Sequence, residues 1–194
     1  MNQEKKAQVY DKESRDFLGD VVLCILKYFP TAGRGRIHDL ICFLEDRITR
    51  DYGDPWLALR YEIWARGPVQ VDLLCDLTDG PWLLKDAIRR NPDFPKDPRE
   101  FLPVRDFDLS DDALLEDAIR KFGGMSDEEL DDALRGEDSL WQRECVRLGL
   151  WDDFKEGRAV VSRHRLDLAL LLDDEGARED YREQCAMARM GNAK

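Results

Sequence analysis

Long apolar runs are missing from this sequence. The longest, Val21 to Leu26, falls far short of the roughly 20 residues that cross a bilayer, so no transmembrane helix is expected. The opening stretch MNQEKKAQVYDKESRDF is polar and mixed in charge. It lacks the apolar centre and cleavage site of a secretory leader, and a cytoplasmic location is expected. Histidine is scarce, with only His38 and His164. There is no Gly-x-Ser-x-Gly, His-Glu-x-x-His, phosphate-binding P-loop or Gly-x-Gly-x-x-Gly pattern, so the usual nucleophile, metal and nucleotide chemistries have no anchor. The expectation is a protein that is not an enzyme and uses no cofactor.

Positive charge is also in deficit. Thirty Lys and Arg face 42 Asp and Glu, a net charge of -12. That balance works against nonspecific nucleic-acid binding, which depends on cations displacing counterions from phosphates. The five cysteines, Cys24, Cys42, Cys75, Cys145 and Cys185, are odd in number and widely spaced within apolar helical patterns. They read as reduced, buried thiols with no disulfide framework. His38 and Cys42, four apart on one helix, have metal-like spacing but need two further ligands, so no metal site is expected. The segment GRGR before that helix could cradle an anion at its N-terminus.

What is present is a series of amphipathic segments. With 43% apolar and 37% charged residues over 194 positions, the chain is expected to form one globular domain, 1–194, with 173–194 as a C-terminal helical extension. Phe17, Val21, Ile25 and Phe29 recur every four residues and predict a buried helix stopped by Pro30. Ile37, Leu40, Ile41, Leu44 and Ile48 predict a second. In YEIWARGPVQVDLL, residues 61–74, Tyr61, Ile63 and Ala65 alternate with Glu62, Trp64 and Arg66 as a strand does, and Pro68 suits the first residue of a following helix. Four prolines between Trp82 and Phe107 exclude a continuous helix and favour a ribbon.

Farther on, Ser110 is a candidate cap for a helix carrying Leu115, Ala118, Ile119 and Phe122, closed by Gly123-Gly124. SDEEL, with Ser126 and Glu129, is a capping box. Helices are expected around Trp141, Cys145 and Leu148, from about Arg163 to Leu172, and through Tyr181, Cys185 and Ala188. The expected fold class is mainly α, a single compact helical domain with a small β element near 58–66 and 83–105.

Acid is concentrated. Asp106 to Asp138 holds 13 acidic and 3 basic residues, a net of -10, whereas Arg34 to Arg66 holds six of each. One reading is a solvated helical face. The other is a docking surface for a basic partner. Adjacent carboxylates such as Asp111 and Asp112 are too common in so acidic a chain to be read as acid/base pairs.

YEIWARGPVQVDLL resembles the Tyr/Phe-x-x-Trp-x-x-Gly-Pro-Val core of the SocA-like, or Panacea, domain of prophage-associated proteins and antitoxins. The likeness extends over roughly 18–172, through RIHDLICFLEDRI upstream and AIRKFGGMSDEELDDAL and EDSLWQRE downstream. Leu134-Arg135 and Leu140-Trp141 stand where the family has Thr-His and Pro-Trp, and RGRIHDL replaces its usual start to the second helix, as in a divergent member. The resemblance implies a mostly helical domain that neutralises a cognate toxin, encoded next to it, by direct binding or by delivery to a protease. It places Trp64, Arg66, Gly67, Pro68 and Val69 at a structural corner bordering the binding surface, with Asp111, Asp112, Asp131 and Asp132 as the acidic interface. The same corner residues also suit a purely structural turn. Alternatives are a phage-encoded inhibitor-binding protein and a winged-helix regulator using Arg34, Arg36, Arg89, Arg90 or Arg99 on phosphates. A carboxylate-based hydrolase or transferase has no specific support.

Overall fold

The computed structural model describes residues 10–107 and 113–191. The chain divides into two compact units. The first is built mainly from residues up to Leu40 and Asp72–Gly124, the second from Ile41–Val71 and Met125–Ala186. Helix predominates, with two small sheets.

In the first unit, α1 (Lys12–Tyr28) starts where Asp11 accepts the Ser14 N–H at 2.7 Å. This is an N-cap that satisfies one of the orphan amides of the first turn. Leu18, Val21, Val22 and Ile25 are buried along its apolar stripe. Gly19 lets the helix approach closely, since a Cβ there would meet the Ala87 Cβ at 2.9 Å. The helix α2 (Arg34–Tyr52) contributes Ile37 and Leu40 to this core, and α3 (Val71–Asp79) contributes Leu73 and Leu77. The expected ribbon is present as antiparallel strands β3 (Ile88–Arg90) and β4 (Phe101–Pro103). Helix α4 (Ala113–Phe122) follows with Ile119 buried. Ser110, its expected cap, lies outside the described residues.

The second unit holds a three-stranded sheet in the order β2-β1-β5, formed by β1 (Tyr61–Trp64), β2 (Gly67–Val69) and β5 (Arg165–Leu166). Helices α5 (Asp127–Arg135), α6 (Leu140–Arg147), α7 (Trp151–Lys155) and the part of α8 (Glu175–Gly191) up to Ala186 complete it. The capping box is formed, with Glu129 N–H donating to Ser126 Oγ at 3.1 Å and Ser126 N–H to Glu129 Oε2 at 2.7 Å. The C-terminal helix is tied into this unit: Tyr181 and Cys185 are buried, and Thr49 Oγ1 donates to Tyr181 Oη at 3.2 Å.

Two sequence expectations are corrected. Pro68 does not open a helix. It sits in β2 opposite Ile63, and the helix begins only at Val71. Ile63 gives its N–H to His164 O and receives Ser162 Oγ on its carbonyl, both on the β5 side. Pro68 therefore faces a residue that asks nothing of it, on an edge strand where a missing N–H costs no ladder bond. The second correction concerns Arg163 to Leu172, expected as helix. That segment is β5 followed by a 3-10 turn (Leu168–Leu171), because Asp167 adopts an extended backbone and its side chain accepts the Ala169 N–H at 3.2 Å. Helix α7 was not anticipated, being too short to show a period.

Buried Asp76 holds the turn after α3. Its carboxylate accepts the amides of Trp82 and Leu83 at 2.5 Å each and of Leu84 at 3.3 Å. Burial pushes its pKa above the usual carboxylate value, and the three amides pull it partly back. Asp76→Ala leaves those donors without an acceptor and lowers stability by about 3 kcal/mol. Urea denaturation reads the loss, and Asp76→Asn, which keeps one acceptor oxygen, loses less.

Candidate functional site

The five corner residues singled out in the sequence come together as a hairpin. Trp64 pairs with Gly67 across the two-residue turn Ala65-Arg66, with Ile63 opposite Pro68 and Glu62 opposite Val69. Gly67, Pro68 and Val69 are buried, whereas Arg66 is exposed at the tip. Gly67 has φ +118°, a backbone conformation that side chains resist, and a Cβ there would stand 2.5 Å from Arg135 Nε. Glycine is required twice over, by backbone and by space.

The hairpin is held from outside by two helices. Arg135, the last residue of α5, donates Nε to the Arg66 carbonyl and Nη1 to Asp131 Oδ1 at 2.6 Å. Trp141 of α6 donates its indole N–H to the Trp64 carbonyl at 2.9 Å and packs edge-on to Trp151 with ring centres 6.0 Å apart. Trp64 turns its own indole N–H onto Glu62 Oε2 at 2.9 Å. Carbonyls on both sides of the turn are thereby fixed by charged or aromatic donors.

The anchoring of α5 sets what that helix displays. Leu130 and Leu134 are buried, while Asp127, Glu128, Glu129, Asp131 and Asp132 are exposed. Arg135 is the one cation on the helix. The Ser126 amide holds the Glu129 carboxyl below its ordinary range. Asp111 and Asp112 lie outside the described residues. The acidic run also divides between the two units: Glu116 of α4 belongs to the first, where it accepts from Tyr28 Oη at 2.5 Å and Lys27 Nζ at 2.9 Å.

Beside the hairpin, the described residues form a narrow crevice. The crevice bounded by Cys42, Tyr61, Pro68, Leu134, Trp141 and Leu168 has room for about 10 Å³, at the limit for a single water. An open depression of about 680 Å³ is lined, among the described residues, by α1 from Lys12 to Asp20, as a helix surface would be. Among the described residues no three His, Cys, Asp or Glu side chains gather into a metal-binding set. His38 is buried with Nδ1 3.0 Å from Asp39 Oδ1, and His164 is exposed.

The arginines considered for phosphate are mostly engaged within the first unit. The start of α2, suggested by GRGR as an anion cradle, is occupied by the protein's own Glu100, which accepts the Arg34 N–H at 3.0 Å. Arg90 donates to Glu100 at 2.5 Å and to the Leu77 and Thr78 carbonyls at 2.6 Å each, capping the end of α3. Arg36 donates to the Gly123 carbonyl at 2.7 Å, and Arg99 to Asp97. Arg89 is exposed. The ribbon β3-β4 forms a sheet by itself and β1 belongs to the other sheet, so the shared sheet of a winged helix is not assembled among the described residues.

Sequence reasoning missed the buried carboxylate Glu45. It accepts the Leu59 N–H at 3.1 Å and the Tyr61 hydroxyl at 2.6 Å and is fully buried on α2. In sequence it is one more acidic residue on an amphipathic helix, and no spacing separates it from Asp46 beside it. Arg135 was equally invisible, because its partner is a carbonyl 69 positions away.

The chain is thus a mainly α protein with a clamped hairpin and an acidic helix fixed to it. Comparison with protein families, curated proteins and solved structures finds no match.

Two outcomes test this geometry. Gly67→Ala costs on the order of 2 kcal/mol through backbone strain plus the collision with Arg135; a double-mutant cycle with Arg135→Ala recovers the collision part only, read by thermal unfolding. Burial beside Glu45 raises the Tyr61 and Tyr181 pKa values above the ordinary 10.0. The unfolded chain then loses these protons first, so stability falls as pH rises past about 10. Absorbance titration at alkaline pH shows two of the five tyrosines ionising only as the fold is lost.

Proposed function

We propose that this protein is a stoichiometric, non-catalytic binding protein that acts as an antitoxin, neutralising a cognate basic toxin by direct contact with α5. The observation that carries the reading is the display of five exposed carboxylates on one short helix whose single cation is already engaged. Repulsion within such a row is relieved by a cationic partner, and the field steers its approach. The Arg135 and Trp141 contacts support it further, since a face held rigid before binding loses less entropy on association. The hairpin residues Trp64, Gly67, Pro68 and Val69 act as the support of this face, and exposed Arg66 borders it.

Co-expression with the adjacent open reading frame, followed by size-exclusion chromatography, tests the proposal. Rescue of growth arrest with co-elution of the two proteins supports it. Glu128→Lys with Asp132→Lys, which leaves the Arg135 anchor in place, then weakens the complex by about tenfold or more, with strong salt dependence. Absence of both rescue and co-elution rejects this neighbour as the target, and an unchanged affinity in the charge-reversed variant rejects α5 as the interface.

A further inference from the structure

A second surface of the second unit has the opposite character. The sheet order leaves β5 as an edge strand. The segment before it continues along β1, with Ala65 N–H donating to Val160 O and Ile63 N–H to His164 O, both at 2.9 Å. Tyr61 pairs with Leu166 and Glu62 with Arg165. In an antiparallel ladder with the Ile63 bond to His164, the backbone groups of Leu166 turn toward β1 and those of Arg165 turn outward. The outward edge is therefore a backbone template.

Its side chains are unusual for this protein. Val160 and Val161 are 63% and 56% exposed, and Arg163, His164 and Arg165 are exposed as well. Most arginines of this acidic chain are engaged by carboxylates or carbonyls, but among the described residues Arg163 and Arg165 have no ion pair or side-chain hydrogen bond. Glu62, opposite Arg165, spends its carboxylate on the Trp64 indole. Two adjacent cations without partners, two bare valines and an open strand edge coincide in one six-residue stretch.

We propose that the edge formed by residues 160–165 takes an extended, acidic segment of a partner protein as an added strand. Main-chain bonds to the Arg165 edge supply the pairing, Arg163 and Arg165 select carboxylates at alternate positions, and Val160 and Val161 cover apolar side chains between them. The same arginines repel an identical edge, which disfavours a second copy of this chain as occupant. This inference is independent of the role given to α5.

The test uses the full chain and a labelled peptide of roughly eight residues, a normal strand length, alternating valine and glutamate. A control peptide of equal charge carries proline in place of two valines, and a uridine oligonucleotide serves as a competing anion. Fluorescence anisotropy is expected to show binding of the alternating peptide, about tenfold or more weaker binding of the proline control, and slower amide exchange at Arg165 in the complex. R163E/R165E abolishes binding with an unchanged melting temperature; R163Q/R165Q weakens it if the reversal disturbs folding. No peptide binding, equal binding of both peptides, preference for the oligonucleotide, or binding retained by both double variants overturns the proposal. Self-association at high concentration that R163E/R165E removes also overturns it, by assigning the edge to a second copy.

Discussion

A carboxylate taken out of water must be met by donors, and the two units are organised around acids that satisfy that demand. Glu45, Asp76 and Glu100 are all buried. Each reaches a backbone amide outside its own element: Leu59, the Trp82 to Leu84 turn, and Arg34 at the start of α2, respectively. An isolated buried charge is costly, so these bonds are not optional additions to an apolar core. They decide where loops close onto helices. Glu100 also gathers Arg90, which caps α3 in turn, so one acid coordinates a ribbon and two helices.

The same logic runs in reverse at the hairpin. There the groups that take partners are carbonyls of the turn, and the donors are Arg135 and Trp141. Gly67 makes room for the guanidinium, which links α5 to the turn. A helix of nine residues is too short to be stable from propensity. Its capping box, its two buried leucines and this clamp hold it, and its acidic face is displayed as a consequence. Charge of one sign on α5 and of the other on the β5 edge makes the second unit electrically divided, although the chain as a whole is strongly acidic.

Local signals were read well where one physical cause acts within a few residues. The Ser126 capping box, the stop at Pro30, the stripes of α1 and α2, and the proline-punctuated ribbon all follow from backbone and periodicity rules. Misreadings arose where a partner distant in sequence settled the outcome. Pro68 was compatible with a helix start and with an edge strand, and the choice was made by Ile63 bonding toward residues 162–164. The leucine pattern from 166 to 172 suited a helix, but pairing with Tyr61 drew its start into the sheet.

By itself, then, the sequence determined a mainly helical chain with a small β component, its principal caps and breaks, and a surplus of acid between Asp106 and Asp138. Only the tertiary structure decided which charges are buried, which arginines are engaged, and which are left facing water. The physical reason is range. Hydrophobic period and capping act over about one to four residues, whereas the fate of a charge depends on whichever donor or acceptor the fold brings within about 3 Å of it. Glu45 and Asp46 are neighbours in sequence; one lies wholly inside against Tyr61, the other pairs with Arg50 at the surface.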